Sequence, residues 1–86
     1  MNIDEEKAHI MLKLVRKGNW NNSYDREEHF KRFENLGLII KELNKIGWIM
    51  IHKKPKFIAY SLNTNFKKDI TEFIEKIIPE ISGTIR

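Results

Sequence analysis

Five lysines and a histidine define the chemistry open to this 86-residue chain: Lys41, Lys45, Lys53, Lys54 and Lys56, with His52 among them. Within residues 35–62 these lysines face one acid, Glu42, so this stretch carries the whole net charge of +4. Residues 1–34 hold seven Lys/Arg against seven Asp/Glu, and residues 63–86 hold four against four. A localised excess of cations is the electrostatic footprint of a surface that attracts nucleic acid. The same charges also suit a solvated hairpin tip, and charge alone does not separate the two.

No reaction centre assembles from the remaining residues. Ser23 and Ser61 lack a supporting His/Asp arrangement, and there is no Gly-rich phosphate loop. Glu5–Glu6 and Glu27–Glu28 are adjacent on expected helices, so their carboxylates diverge. His9, His29 and His52 are scattered and no Cys accompanies them, so no metal site is expected. The lack of Cys also excludes disulfides and thiolate nucleophiles. The expectation is a protein that is not an enzyme and needs no cofactor. No apolar run approaches the ~20 residues that cross a bilayer, and the N-terminus lacks the apolar stretch of a signal peptide. A cytoplasmic location is expected.

The elements that must position the lysines follow from periodicity. Residues 3–17 predict a helix with Ala8, Met11, Leu14 and Val15 on one face. Asn2 and Glu5 form its expected capping box, and Gly18 its stop. "GNWNNS" (18–23) reads as a loop, with Ser23 capping a second helix from Tyr24 that contributes Phe30 and Phe33. At "FENLG" the chain either breaks or continues through Gly37. A helical Gly costs about 1 kcal/mol relative to Ala, which favours a break near Glu34. A third helix then runs to Ile46, with Leu36, Ile40 and Leu43 facing inward, Ile39 at the edge, and Gly47 as its stop. "WIMIH" (48–52) and "FIAYSL" (57–62) predict a hairpin around "KKPK". Trp48 is expected in the core, and Trp20 packed against the first helix. A last helix begins at Asn63 or Asn65, with Phe66, Ile70, Phe73, Ile74, Ile77 and Ile81 as its stripe, and Pro79 ends or kinks it. The chain is expected to be one α+β, mostly helical domain over 1–86. It comprises a core and hairpin (3–62), a C-terminal helix (63–81) and a tail (82–86).

The order is helix, helix, helix, hairpin, helix, fixed by "LIIKELNKIGWI" and then "KFIAYSLN". Leu43 stands four residues before Gly47, Ile40 seven before it, and Trp48–Ile49 directly after it. A basic hairpin and Tyr60-x-Leu62 follow. Over residues 5–78 this pattern resembles winged helix-turn-helix domains of the MarR-like and ArsR-like kind. The resemblance implies a three-helix core, a two-stranded wing and a C-terminal helix. It also implies a DNA-binding transcriptional regulator that acts as a homodimer, with the third helix in the major groove and the wing on the backbone or minor groove.

On the third helix Asn35 is the candidate for a base edge and Leu38 for a thymine methyl, while Lys41 and Lys45 suit phosphates. His52, Lys53, Lys54 and Lys56 form the expected phosphate clamp of the wing. Phe66, Ile70, Phe73, Ile74 and Ile77 are the expected dimer interface, the alternative being that this helix folds back on its own core. A second reading uses the domain for protein contact through Leu38 and Ile39, as an interaction module or a small subunit of a nucleic-acid-processing complex.

Overall fold

A computed structural model describes residues 1–84, in which three α-helices and one antiparallel sheet enclose a single core. Helix α1 (Ile3–Arg16) opens on the expected capping box. The Asn2 side chain accepts the Glu5 amide at 2.8 Å, and the Glu5 carboxylate accepts the Asn2 amide at 3.4 Å. Gly18, at φ 68°, follows its end. Ile10 and Leu12 are buried beside Ala8, Met11 and Leu14, so α1 is covered around most of its circumference.

The expected second helix does not form. Asp25–Arg26 is a short strand, β1, and Glu27–Phe30 is one 3-10 turn. Phe30 and Phe33 are three residues apart and both buried, a spacing that a 3-10 turn already brings to one side. Residues 24–34 offer only Tyr24 as a further large apolar side chain, too little to hold a longer helix. The extended backbone at 25–26 meets another demand: it supplies hydrogen-bond partners to one edge of the hairpin.

That hairpin is β2 (Ile49–Lys53) and β3 (Ile58–Leu62), in register from Ile49 opposite Leu62 to Lys53 opposite Ile58. β1 pairs with the other edge of β3, Asp25 opposite Tyr60, giving the order β1-β3-β2.

Helix α2 (Leu36–Lys45) begins after the expected break. Leu36, Ile39, Ile40 and Leu43 are buried, Ile39 completely rather than at the edge. Gly47 stops the helix at φ 86°, and a Cβ there would lie 3.1 Å from the Phe66 ring. Both the left-handed backbone and the close approach call for glycine.

Asn63 accepts the Asn65 amide at 3.0 Å and opens a 3-10 turn (Thr64–Phe66) that feeds α3 (Lys67–Ile77). Pro79 then starts a third 3-10 turn, Pro79–Ile81. α3 packs along α1 and buries Ile70 and Ile74, and Ile78 just past its end is buried as well. Ile70 and Ile74, expected at a dimer face, are therefore the core of a single chain. A domain this small has little other apolar surface with which to close its interior. Phe66, Phe73 and Ile77 lie half-buried against the same core, as do Trp20 and Trp48, the latter edge-on to Phe73 at 5.9 Å. Of the expected tail, residues 82–84 are exposed and 85–86 lie outside the described residues. No helix among the described residues is long and apolar enough to cross a membrane.

Candidate nucleic-acid interface

The outer face of α2 carries Leu38, Lys41, Glu42 and Lys45, all exposed, with Leu38 at 48%. Lys41 and Lys45 stand one turn apart on the same side. Glu42, the only acid of residues 35–62, is held by Lys7 of α1 at 2.7 Å. None of Lys41, Lys45, Lys53, Lys54 or Lys56 has a carboxylate within ion-pair distance among the described residues. The one local anion is thus neutralised from outside the segment, and the five cations remain open to solvent.

Asn35 does not belong to this face. Its backbone amide donates to Glu6 Oε1 at 3.0 Å and its side-chain amide to Glu6 Oε2 at 2.6 Å. Glu6 is buried on α1, and a buried carboxylate needs donors. The Asn35 backbone bond, then its side-chain bond, hold the Glu6 carboxyl below the usual carboxylate range. Asn35 therefore joins the start of α2 to α1 rather than offering a base-reading amide. Ile39, expected with Leu38 at a protein contact, lies inside the core.

The hairpin tip, Lys53 to Lys56, is exposed, and Lys54 donates its amide to the Phe57 carbonyl at 2.9 Å. His52 is not free to clamp a phosphate through Nε2. That nitrogen lies 2.8 Å from Ser61 Oγ, and Ser61 donates its only proton to the Asn21 carbonyl at 2.6 Å. A hydroxyl has one proton to give, so His52 Nε2 is the donor. The His52 ring also stacks on Tyr24 at 4.8 Å. It braces the hairpin's base and leaves only its Nδ1 edge uncommitted.

Sequence reasoning missed the rest of this brace. Lys54 lies over the Tyr24 ring at 5.4 Å, and Arg26 over Phe57 at 4.1 Å. Tyr24 and Phe57 sit 6.1 Å apart, so two cations and three rings stiffen one side of the hairpin. The alternation exposed Tyr24, buried Asp25, exposed Arg26 is the strand signal for this arrangement, but it is too short to be legible alone.

Beneath β1 lies a second network. Asp25 accepts from His29 Nδ1 at 2.5 Å and pairs with Lys17 at 3.2 Å. Burial works against its charge, but the hydrogen bonds and charges of His29 and Lys17 outweigh it, and its pKa lies below the ordinary value. The Tyr60 phenol, pushed up by burial and by its bond to Glu27, stays protonated as a donor. No group of three or more His, Cys, Asp or Glu side chains among the described residues could hold a metal ion.

Comparison with protein-family models, with curated proteins and with solved structures finds no match to the chain.

Proposed function

We propose that the protein binds double-stranded DNA, with α2 and the hairpin as its contact face, and that it does so as a winged-helix regulator. The observation that carries the reading is the set of five exposed lysines without carboxylate partners among the described residues, beside an acid already neutralised by Lys7. The sheet order β1-β3-β2, with α2 leading directly into the hairpin, is consistent with a winged-helix layout. In this reading Lys53, Lys54 and Lys56 contact phosphates from the wing, and Lys41 and Lys45 do so from the helix. Leu38 is left as the one side chain suited to a base, through a thymine methyl. Such a face positions the protein more than it reads sequence, and DNA shape supplies much of the selectivity. A cytoplasmic location belongs to the same proposal.

Salt-dependent binding of a random duplex, measured by fluorescence anisotropy, tests this. Affinity that falls steeply with salt supports it, and no binding at low salt refutes it. One observation favours a second reading: Leu38 on α2 and Ile46 at its C-cap are 48% and 52% exposed. A protein partner covering them would be favoured if Leu38→Lys left duplex affinity unchanged or raised it. Self-association through α3 would have only the exposed parts of Phe66, Phe73 and Ile77 to bury. Sedimentation at high micromolar concentration checks it, a dimer that Phe73→Glu dissociates being the supporting result.

A further inference from the structure

Residues 1–34 are electrically balanced in sequence, but the fold sorts their charges. A cleft of about 300 Å³ beside the C-terminal half of α1 is lined by His9, Leu12, Lys13, Arg16, Lys17 and Arg32, with no carboxylate. The cleft beside the wing, by contrast, is lined by Glu27 and Glu28 as well as by cations. His9, Lys13 and Arg16 repeat at helical spacing, so one face of α1 presents them together. Arg32 converges on them from the segment that leads into α2.

Several of these cations are already held in place. Lys13 is anchored to the His29 carbonyl and lies over the Phe30 ring at 4.8 Å. The Arg32 guanidinium lies over Phe33 at 4.6 Å, which leaves its N–H edge free. Asp25, which Lys17 contacts, is buried, and its oxygens are taken by His29, Lys17 and the Arg26 amide. Arg16 has no carboxylate partner among the described residues. Basic residues at a helix C-terminus complement its dipole, which accounts for Arg16 and Lys17. It does not account for the convergence of His9 and Arg32 on the same cleft.

We propose that this cleft is a second anion site that takes a phosphate group. Two guanidinium forks and an ammonium match the several oxygens of a phosphate, and charge-assisted bonds of this kind are the strong ones. The cleft is about the smallest size that holds a small-molecule ligand. It is distinct from the proposed duplex face. Arg16 lies nine residues from Lys7, half a turn around α1 at 100° per residue, and Lys7 is the residue that reaches α2.

The test is a titration of the protein with inorganic pyrophosphate at constant ionic strength, followed by amide NMR. Saturable shifts at residues 9–17 and 31–33 are expected. Arg16→Gln with Arg32→Gln should weaken binding about tenfold or more, while Lys53→Ala/Lys54→Ala/Lys56→Ala leaves it unchanged. If the double variant loses its dispersed spectrum, Arg16→Gln alone, away from Phe33, repeats the test. Two arms separate the sources of phosphate. Tighter binding of a nucleoside triphosphate than of pyrophosphate assigns the site to a free nucleotide. A duplex that shifts residues 9–17 in the wing triple variant assigns it to a nucleic-acid backbone. Absence of saturable shifts on α1 with all three probes overturns the proposal, and so do shifts that survive the arginine substitutions.

Discussion

Replacing Lys53, Lys54 and Lys56 together by Ala removes three of the five lysines of residues 35–62, none of which has a carboxylate partner among the described residues. If each of the five meets one phosphate, counterion release of about 0.9 per phosphate gives a log–log salt slope near −4.5. Between about 50 and 200 mM salt that slope costs roughly 500-fold in affinity. The triple variant keeps Lys41 and Lys45, so its slope should flatten to about −1.8 and its loss over the same range to roughly 12-fold. The fold should persist. The tip is exposed, and the substitutions disturb the packing of Lys54 over the Tyr24 ring, worth about 0.5–1 kcal/mol at an exposed site. Anisotropy titrations of a labelled duplex at four salt concentrations measure both slopes, with circular dichroism as the folding control. Phosphate contacts carry no sequence information, so the loss should be similar for unrelated duplexes. A folded triple variant with an unchanged slope would remove the wing from the interface. A flat wild-type slope would remove the electrostatic basis of duplex binding altogether.

Stability should depend on pH through Glu6 and Asp25. Both carboxyls have folded-state pKa values below their ordinary ones, so their contribution is complete above the unfolded carboxylate range of about 3.9–4.3 and is lost as pH falls through the folded values. Thermal melts should show this, and Glu6→Gln with Asp25→Asn should flatten the acid limb; an unaltered limb would exclude these groups as its source. Gly47→Ala should destabilise by about 1–2 kcal/mol or more, since an L-residue enters the left-handed region there and its Cβ meets Phe66; an unchanged denaturation midpoint would contradict the stated geometry. Ile74→Ala should cost about 2–5 kcal/mol as a fully buried truncation, and at constant concentration its urea midpoint should fall; a neutral result would mean that α3 is not core.

The sequence by itself determined what depends on local signals. The Asn2/Glu5 box, the Gly18 and Gly47 stops, the hairpin around Pro55 and the concentration of charge in 35–62 are all legible, because caps, turns and periodicity act over a few residues. α2 was located because Leu36, Ile40 and Leu43 repeat at helical spacing. Tertiary structure decided the rest. Residues 24–34 have ordinary helix-forming composition, but the open edge of β3 captured Asp25–Arg26, and Phe30 and Phe33 needed only one tight turn to reach the core. Asn35 looked available until Glu6, remote in sequence and buried on α1, took its backbone amide and a side-chain N–H. His52 was committed by Ser61 and Tyr24, and Ile70 and Ile74 by α1, for the same reason. A side chain's partners are set by which elements meet in space, and no local pattern encodes that. The charge balance of residues 1–34 shows the point most clearly. It is zero along the chain, yet folding buries Asp25 and Glu6, each with its own donors, and leaves Lys13, Arg16 and Arg32 around one cleft.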